Sequence, residues 1–183
     1  QLIFDAAEIA RSLTERVIGQ DRIANQIGRT IYKESAKAIA GKPLCSIFLS
    51  GPTGTGKTQL AKELARTIYG KKEALYRIDC GGLGTSETSL TSILGAPKTY
   101  TGSTRGSLVE FLEAKKKGGV ILFDEFEKAA PDDTSPLAKM MLNITDEGRV
   151  QSRYDDRAYD ANKCIVFLTS NLEQERLADI VRD

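Results

Sequence analysis

The chain has 183 residues, 40% of them hydrophobic and 28% charged, with 26 basic against 25 acidic side chains for a formal net charge of +1. That length suits one domain around one core, and the balanced charge gives no footprint for nucleic acid or an anionic membrane as partner. Histidine is missing from the composition, which removes histidine acid–base chemistry, zinc–histidine sites and Ser-His-Asp triads. Catalysis then falls to carboxylates, lysine, hydroxyls or a bound metal. Cys45, Cys80 and Cys164 are far apart and follow no metal-ligand spacing, so they read as buried small side chains in the cytoplasm or another reducing compartment. No apolar run approaches the roughly 18 residues of a membrane span, and residues 1–5 do not resemble a signal peptide. A chain that begins at Gln1 rather than methionine reads as a segment of a longer parent.

Alanine and isoleucine at helical spacing predict a helix over 5–16 and a longer one over 21–40, closed by Gly41 and Pro43. The apolar run 44–50 predicts a strand, 57–69 a helix, 75–79 a second strand and 86–94 a short helix, with turn chemistry marking 95–102 as loop. Residues 108–117 have helical spacing, and Lys115, Lys116 and Lys117 suit a solvated helix C-terminus. Val120-Ile-Leu-Phe123 is a continuous apolar run, the mark of a strand buried on both faces. A helix over 132–145 with Pro131 at its entrance, a buried strand over 164–168 and a last helix running toward Asp183 complete the series. Strands that alternate with helices and are apolar throughout predict a three-layer α/β fold, a mainly parallel sheet flanked by helices. Ligands of such sheets gather outside the carboxyl ends of the strands.

The candidate residues fall at those ends. Gly51-Pro52-Thr53-Gly54-Thr55-Gly56-Lys57-Thr58 fills the phosphate-loop pattern G-x-x-x-x-G-K-[ST] between a predicted strand and a predicted helix. Its glycines turn backbone N–H groups toward one concave point, Lys57 reaches the outer phosphates, and the Thr58 hydroxyl is offered to magnesium. Asp124 and Glu125 end the strand that begins at Val120, where a carboxylate needs a cation or a strong partner. Asp124 suits the magnesium held by Thr58, directly or through water, and Glu125 suits polarisation of a water for in-line attack on a γ-phosphate. Asn171 follows the next buried strand and suits either orientation of that water or an N-cap of the following segment.

Val17-Ile-Gly-Gln20, the phosphate loop, Ile121-Leu-Phe-Asp-Glu-Phe-Glu-Lys-Ala129, Asp146-Glu-Gly-Arg149 and Thr169-Ser-Asn-Leu172 occur in that order. Together they resemble an AAA+ ATPase of the Clp chaperone class, most of all the second ATPase module of ClpA- and ClpB-type unfoldases and disaggregases. The resemblance implies that residues 1–183 form the large nucleotide-binding subdomain, with 1–16 as an N-terminal helix and lead-in and the small helical lid outside the chain. It implies ATP and magnesium as cofactors, adenine flanked by Val17 and Ile18, Asp124 and Glu125 as the Walker B pair, and Asn171 as the γ-phosphate sensor. The implied parent is a homo-oligomeric, hexameric ring that unfolds, disaggregates or remodels protein. The loop 95–102 falls where the family carries its substrate-gripping pore loop, and Tyr100 matches the pore tyrosine. This loop departs from the family pattern, with Thr99 before the tyrosine and Ser103-Thr-Arg105 in place of an acidic pair. The departure motivates an alternative, a nucleotide-dependent switch or scaffold that threads nothing; a DNA-acting motor is disfavoured by the neutral charge. The family's arginine finger and second sensor arginine lie downstream of the sensor asparagine, so the resemblance implies weak nucleotide binding and slow hydrolysis by this chain alone. Arg149 and Arg157 are candidate interface arginines, and a solvated surface role suits both equally.

Overall fold

The computed structural model describes residues 6–16, 21–37, 42–51 and 56–172. In chain order these form α1 (Ala6–Arg16), α2 (Asp21–Ala36), β1 (Cys45–Ser50), α3 (Lys57–Tyr69), β2 (Leu75–Asp79), α4 (Thr91–Leu94), α5 (Ser107–Ala114) and β3 (Val120–Asp124). They continue with α6 (Pro136–Glu147), β4 (Arg149–Gln151), β5 (Ala158–Asp160) and β6 (Ile165–Ser170). The four longer strands make one parallel sheet in the order β1-β6-β3-β2, and β4 pairs with β5 as an antiparallel hairpin.

Side chains alternate across a strand, so each apolar residue of the central strands commits to one of two cores. Val120 and Leu122 of β3 and Ile165 and Phe167 of β6 pack with Leu13, Ile27, Leu60 and Leu64 of α1 to α3. Ile121 and Phe123, with Val166 and Leu168, pack on the opposite face against Leu108, Leu112, Met141 and Ile144 of α5 and α6. Every residue of β3 and β6 is buried. Phe123 and Phe167 are fully enclosed, and burial of such a side chain contributes about 2 to 3 kcal/mol. The outer strands differ from the sequence expectation of uniformly apolar strands. Exposure alternates along β1, where Phe48 is open to solvent, and β2 carries Arg77 and Asp79 among its apolar residues. In these strands one face meets the core and the other is only partly covered, which removes the need for an unbroken apolar run.

Four local boundaries depart from the sequence pattern. The helix expected over 132–145 begins at Pro136, with Ser135 as its N-cap and Pro136 rather than Pro131 in the first turn. The cause is Asp132, whose Oδ1 accepts from the N–H and hydroxyl of Thr134, at 3.0 and 2.6 Å, and closes a turn before the helix. The segment 86–94 divides into a 3-10 turn, Glu87–Leu90, followed by α4. Helix α5 stops at Ala114, so the three lysines at 115–117 follow it, and Gly118 N–H closes their turn on the Lys115 carbonyl at 2.8 Å. The β4–β5 hairpin has no counterpart in the sequence reading, because its strands are three residues long and each turns one apolar side chain to the core, Val150 buried and Tyr159 partly so. Helix α2 ends at Ala36, and its expected continuation over 38–40 lies outside the described residues, as does the expected helix over 173–183.

Candidate nucleotide site

Period-two alternation places the key polar groups on one face of the sheet. Leu122 of β3 faces α3, so Asp124 does too; Phe167 of β6 faces α3, so Thr169 does too. On β2, Arg77 pairs in register with Leu122 and therefore stands diagonal to Asp124, within reach of a long side chain. Helix α3 begins beneath these groups because Gly56 takes the left-handed conformation, φ 83, and Leu60 N–H closes the first turn on the Gly56 carbonyl at 3.0 Å.

Lys57, the first residue of α3, is 8% exposed, and its ammonium donates to the carbonyls of Gly51 at 2.6 Å and Ser170 at 3.1 Å. Gly51 N–H also donates to the Ser170 carbonyl, at 3.0 Å, so the start of the phosphate loop is tied to the end of β6. Burial lowers the Lys57 pKa, opposed by the carboxylates of Glu127, Asp124 and Glu125. An anion brought to this ammonium restores the charge balance that burial disfavours.

Asp124 is buried and fully engaged. Its Oδ2 accepts from the Thr58 hydroxyl at 3.1 Å and from Arg77 Nε and Nη2 at 3.0 and 2.7 Å, while Oδ1 accepts from the Thr169 hydroxyl at 2.7 Å. Burial works to raise its pKa, yet the hydrogen bonds from Thr169, Arg77 and Thr58 outweigh it and hold the carboxyl below its ordinary range. The Thr58 hydroxyl and the Asp124 carboxylate thus present two hard oxygen donors side by side, the donor set that suits magnesium.

Glu125 turns the chain out of β3 with φ 56 and ψ 49, a left-handed conformation that costs a non-glycine residue of order 1 kcal/mol. Its N–H donates to Thr169 Oγ1 at 3.0 Å, and its Oε1 accepts from Lys128 at 3.1 Å. The other carboxylate oxygen lies against Gly81, where an added Cβ would stand 3.0 Å away. Asn171 N–H donates to Glu127 Oε1 at 3.1 Å, which fixes the end of β6 to the turn after β3. A cleft of about 320 Å³ is lined by Gly56, Lys57, Thr58, Asp124, Glu125 and Asn171, with Thr169 and Ser170 at its wall. Six residues chosen from sequence therefore converge at one place. Pro52, Thr53, Gly54 and Thr55, and the adenine candidates Val17 and Ile18, lie outside the described residues. Tyr100 is 64% exposed in the loop between α4 and α5 and does not line the cleft.

Comparison with known proteins agrees with this fold. The model of the family described as "AAA domain (Cdc48 subfamily)" matches residues 42–183. The chain belongs to the AAA family. Among its relatives, chaperone protein ClpB 1 of Thermosynechococcus vestitus is 34% identical over 176 residues, 96% of this chain and 20% of that protein. Mitochondrial ClpB4 of Arabidopsis thaliana is 31% identical over 172 residues, 93% of this chain and 17% of that protein. The solved structure of the S. cerevisiae Hsp104:casein complex in its extended conformation superposes with a TM-score of 0.76 at 32% identity, covering 92% of this chain and 28% of that one. The chain spans about a fifth of the length of the curated relatives it matches. Its fold and motif set are those of a Clp-type AAA ATPase domain. Among the described residues no helix is long and apolar enough to cross a membrane.

Four residues of this AAA site escape sequence reasoning as individuals. Arg77 and Thr169 hold Asp124, Glu127 holds the Asn171 backbone, and Lys128 pairs with Glu125. An arginine inside the short strand β2 was the available signal for the first, since a cation within a sheet demands a partner. The partners of Thr169 and Glu127 are 45 and 44 residues distant, and only the sheet order brings them together.

Proposed function

We propose that this domain binds ATP with magnesium and hydrolyses it to ADP and phosphate within a ring-forming motor that remodels protein. The convergence of Lys57, Thr58, Asp124, Glu125 and Asn171 on one cleft is the observation that supports the reading. Lys57 would hold the outer phosphates, and Gly51 to Gly56 would turn backbone N–H groups toward them. Thr58 and Asp124 would hold magnesium, which when bound supplies charge neutralisation for the phosphate oxygens. Glu125 would accept the proton of the attacking water, and the Asn171 amide would orient that water or contact the γ-phosphate. Val17 and Ile18 would flank the adenine.

The ring, a hexamer by family likeness, would be built from copies of the parent, its substrate would be unfolded or aggregated protein, and its compartment a reducing one. Tyr100 would be the substrate contact, an exposed aromatic ring able to grip a chain without sequence preference. The decisive experiment is Glu125→Gln in the full-length parent. ATP affinity should stay within about two-fold while turnover falls at least a hundred-fold. Hydrolysis surviving that substitution would sink the catalytic assignment. Replacing Tyr100 with Ala should abolish substrate remodelling and spare ATPase activity; a switch or scaffold would be indifferent.

A further inference from the structure

A parallel sheet gathers the starts of its strands at one edge and their ends at the other. The register sets Cys45, Ile165, Val120 and Leu75 side by side at the starts, across the sheet from the nucleotide cleft. Each entering segment carries lysine: Lys42 before β1, Lys163 before β6, and Lys71 with Lys72 before β2. Lys115, Lys116 and Lys117 precede β3. Against these seven ammonium groups the same segments, 42–44, 70–74, 115–119 and 161–164, hold one carboxylate, Glu73. The near-neutral total of the chain therefore hides a strong local excess of positive charge at this edge.

Backbone hydrogen bonds tie the four entries together. Leu44 N–H donates to the Cys164 carbonyl at 3.0 Å, Ile165 N–H to the Gly119 carbonyl at 2.9 Å and Val120 N–H to the Ala74 carbonyl at 2.8 Å, so each entry is bonded to the next. The Tyr69 hydroxyl donates to the Lys163 carbonyl at 2.7 Å, on the strand entry that Gly118 also touches. With neighbouring strands about 5 Å apart, the four entries span about 15 Å, and adjacent ones lie within the roughly 8 Å Debye length of physiological salt. Lys115 is half-buried and the other six lysines are exposed, so their potentials add at the surface.

Within this edge a cleft of about 300 Å³ is lined by Lys115, Lys116 and Lys163, together with Leu112, Glu113 and Asp160. Glu113 is already paired with Arg105, which also donates to the Tyr159 hydroxyl, and Asp160 Oδ1 accepts the Asn162 N–H at 2.9 Å. Among the described residues none of the seven lysines has an ion-pair partner. Like charges held this close repel, and an anion brought among them is attracted by every one. The chemistry of the edge selects the kind of anion. All seven cations are lysines, so the forked guanidinium contacts that favour phosphate are missing from the four segments. The exposed aromatic rings Tyr32, Phe48 and Tyr100 stand outside these segments, which leaves the edge without an exposed stacking platform for bases. The two carboxylates in the cleft wall repel a continuous phosphate track yet can accept the backbone N–H groups of an extended peptide.

We propose that this lysine edge is a docking surface for an acidic segment of a protein partner, with Lys115, Lys116 and Lys163 holding its carboxylates in the cleft and the other lysines steering its approach. The surface lies apart from the nucleotide cleft, and its occupancy needs no ATP. A fluorescein-labelled peptide of about ten alternating Asp and Glu residues, titrated with this chain at about 50 mM salt and read by anisotropy, tests it. The peptide should bind, and raising the salt to about 300 mM should weaken it about ten-fold or more. Lys116→Glu with Lys163→Glu should lower affinity about ten-fold or more. Arg22→Glu with Lys139→Glu reverses the same charge at exposed positions away from the edge and should change affinity by less than about two-fold. Should the first pair fail to fold by circular dichroism, Lys116→Gln with Lys163→Gln carries the same test, with a loss of about three-fold or more. Equal losses in the edge pair and the control pair would mean attraction to net charge alone and overturn the surface, as would a wild-type chain indifferent to the peptide. Duplex DNA of equal formal charge, or phosphatidylserine vesicles, bound more tightly than the peptide and lost in the edge variant would overturn the assignment to an acidic protein.

Discussion

Thr169 and Asp124 are locked together across the two central strands: the threonine hydroxyl donates to Asp124 Oδ1 at 2.7 Å and accepts the N–H of Glu125 at 3.0 Å. One buried hydroxyl thus sets both the carboxylate and the left-handed backbone of the residue after it. Thr169→Val preserves the shape and removes both bonds, leaving a buried N–H and a carboxylate lone pair unpaired. The loss should be about 1 to 3 kcal/mol of stability by urea denaturation, with most of it restored in Thr169→Ser.

Asp124 titrates below its ordinary range in the folded protein, so the folded state binds its proton less readily than the unfolded chain does. Its contribution to stability is then present above the ordinary Asp value of 3.8 and is lost as pH falls through the lower folded value. The stability difference between wild type and Asp124→Asn should narrow steadily below about pH 4, measured by denaturation across an acid series. A difference that stayed constant to lower pH would show that Asp124 keeps its unfolded affinity for the proton.

Gly118, between α5 and β3, has φ +98, and an added Cβ would sit 2.0 Å from the Lys163 carbonyl oxygen. Gly118→Ala must strain the backbone and push rigid chain away, and should cost about 3 kcal/mol or more. Gly102 offers the control, since its φ is +75 and nothing lies within 4 Å of its added Cβ. Gly102→Ala should cost only about 1 kcal/mol, all of it conformational. Equal losses in the two variants would contradict the steric account.

Cys45, Cys80 and Cys164 are all buried free thiols, and burial pushes them up to about 12, 12 and 11. With thiolate as the reactive form, native protein at pH 8 should react with an aromatic disulfide reagent at less than about a hundredth of the rate of the chain unfolded in guanidinium, where all three should titrate. Fast labelling of the native chain would place at least one thiol outside the core.

Local chemistry accounts for what was legible in the sequence. The phosphate loop, the apolar runs of β3 and β6 and the acidic pair at 124–125 each carry their meaning within a few residues, because strand burial on two faces demands unbroken apolarity and a helix entered from a glycine turn needs those glycines. Helix α3 and strand β2 therefore begin and end where the pattern places them. The start of α6 was not legible, because Asp132 could cap a helix or close a turn with Thr134, and only the packing of 136–147 against the sheet selects the turn. The hairpin was hidden for a related reason, since two three-residue strands bury too little to impose a period on the sequence.

Sequence alone singled out the candidate residues for phosphate chemistry and the α/β sheet they stand on. Tertiary structure decided who holds them: Arg77 and Thr169 on Asp124, Glu127 on Asn171, and the hairpin on the Tyr100 loop. The physical reason is separation. A motif records contacts made within a turn or a strand, whereas these partners lie tens of residues away: β2 and β6 flank β3 and bring Arg77, Thr169 and Asn171 to its end, and the fold sets the β4–β5 hairpin against the Tyr100 loop.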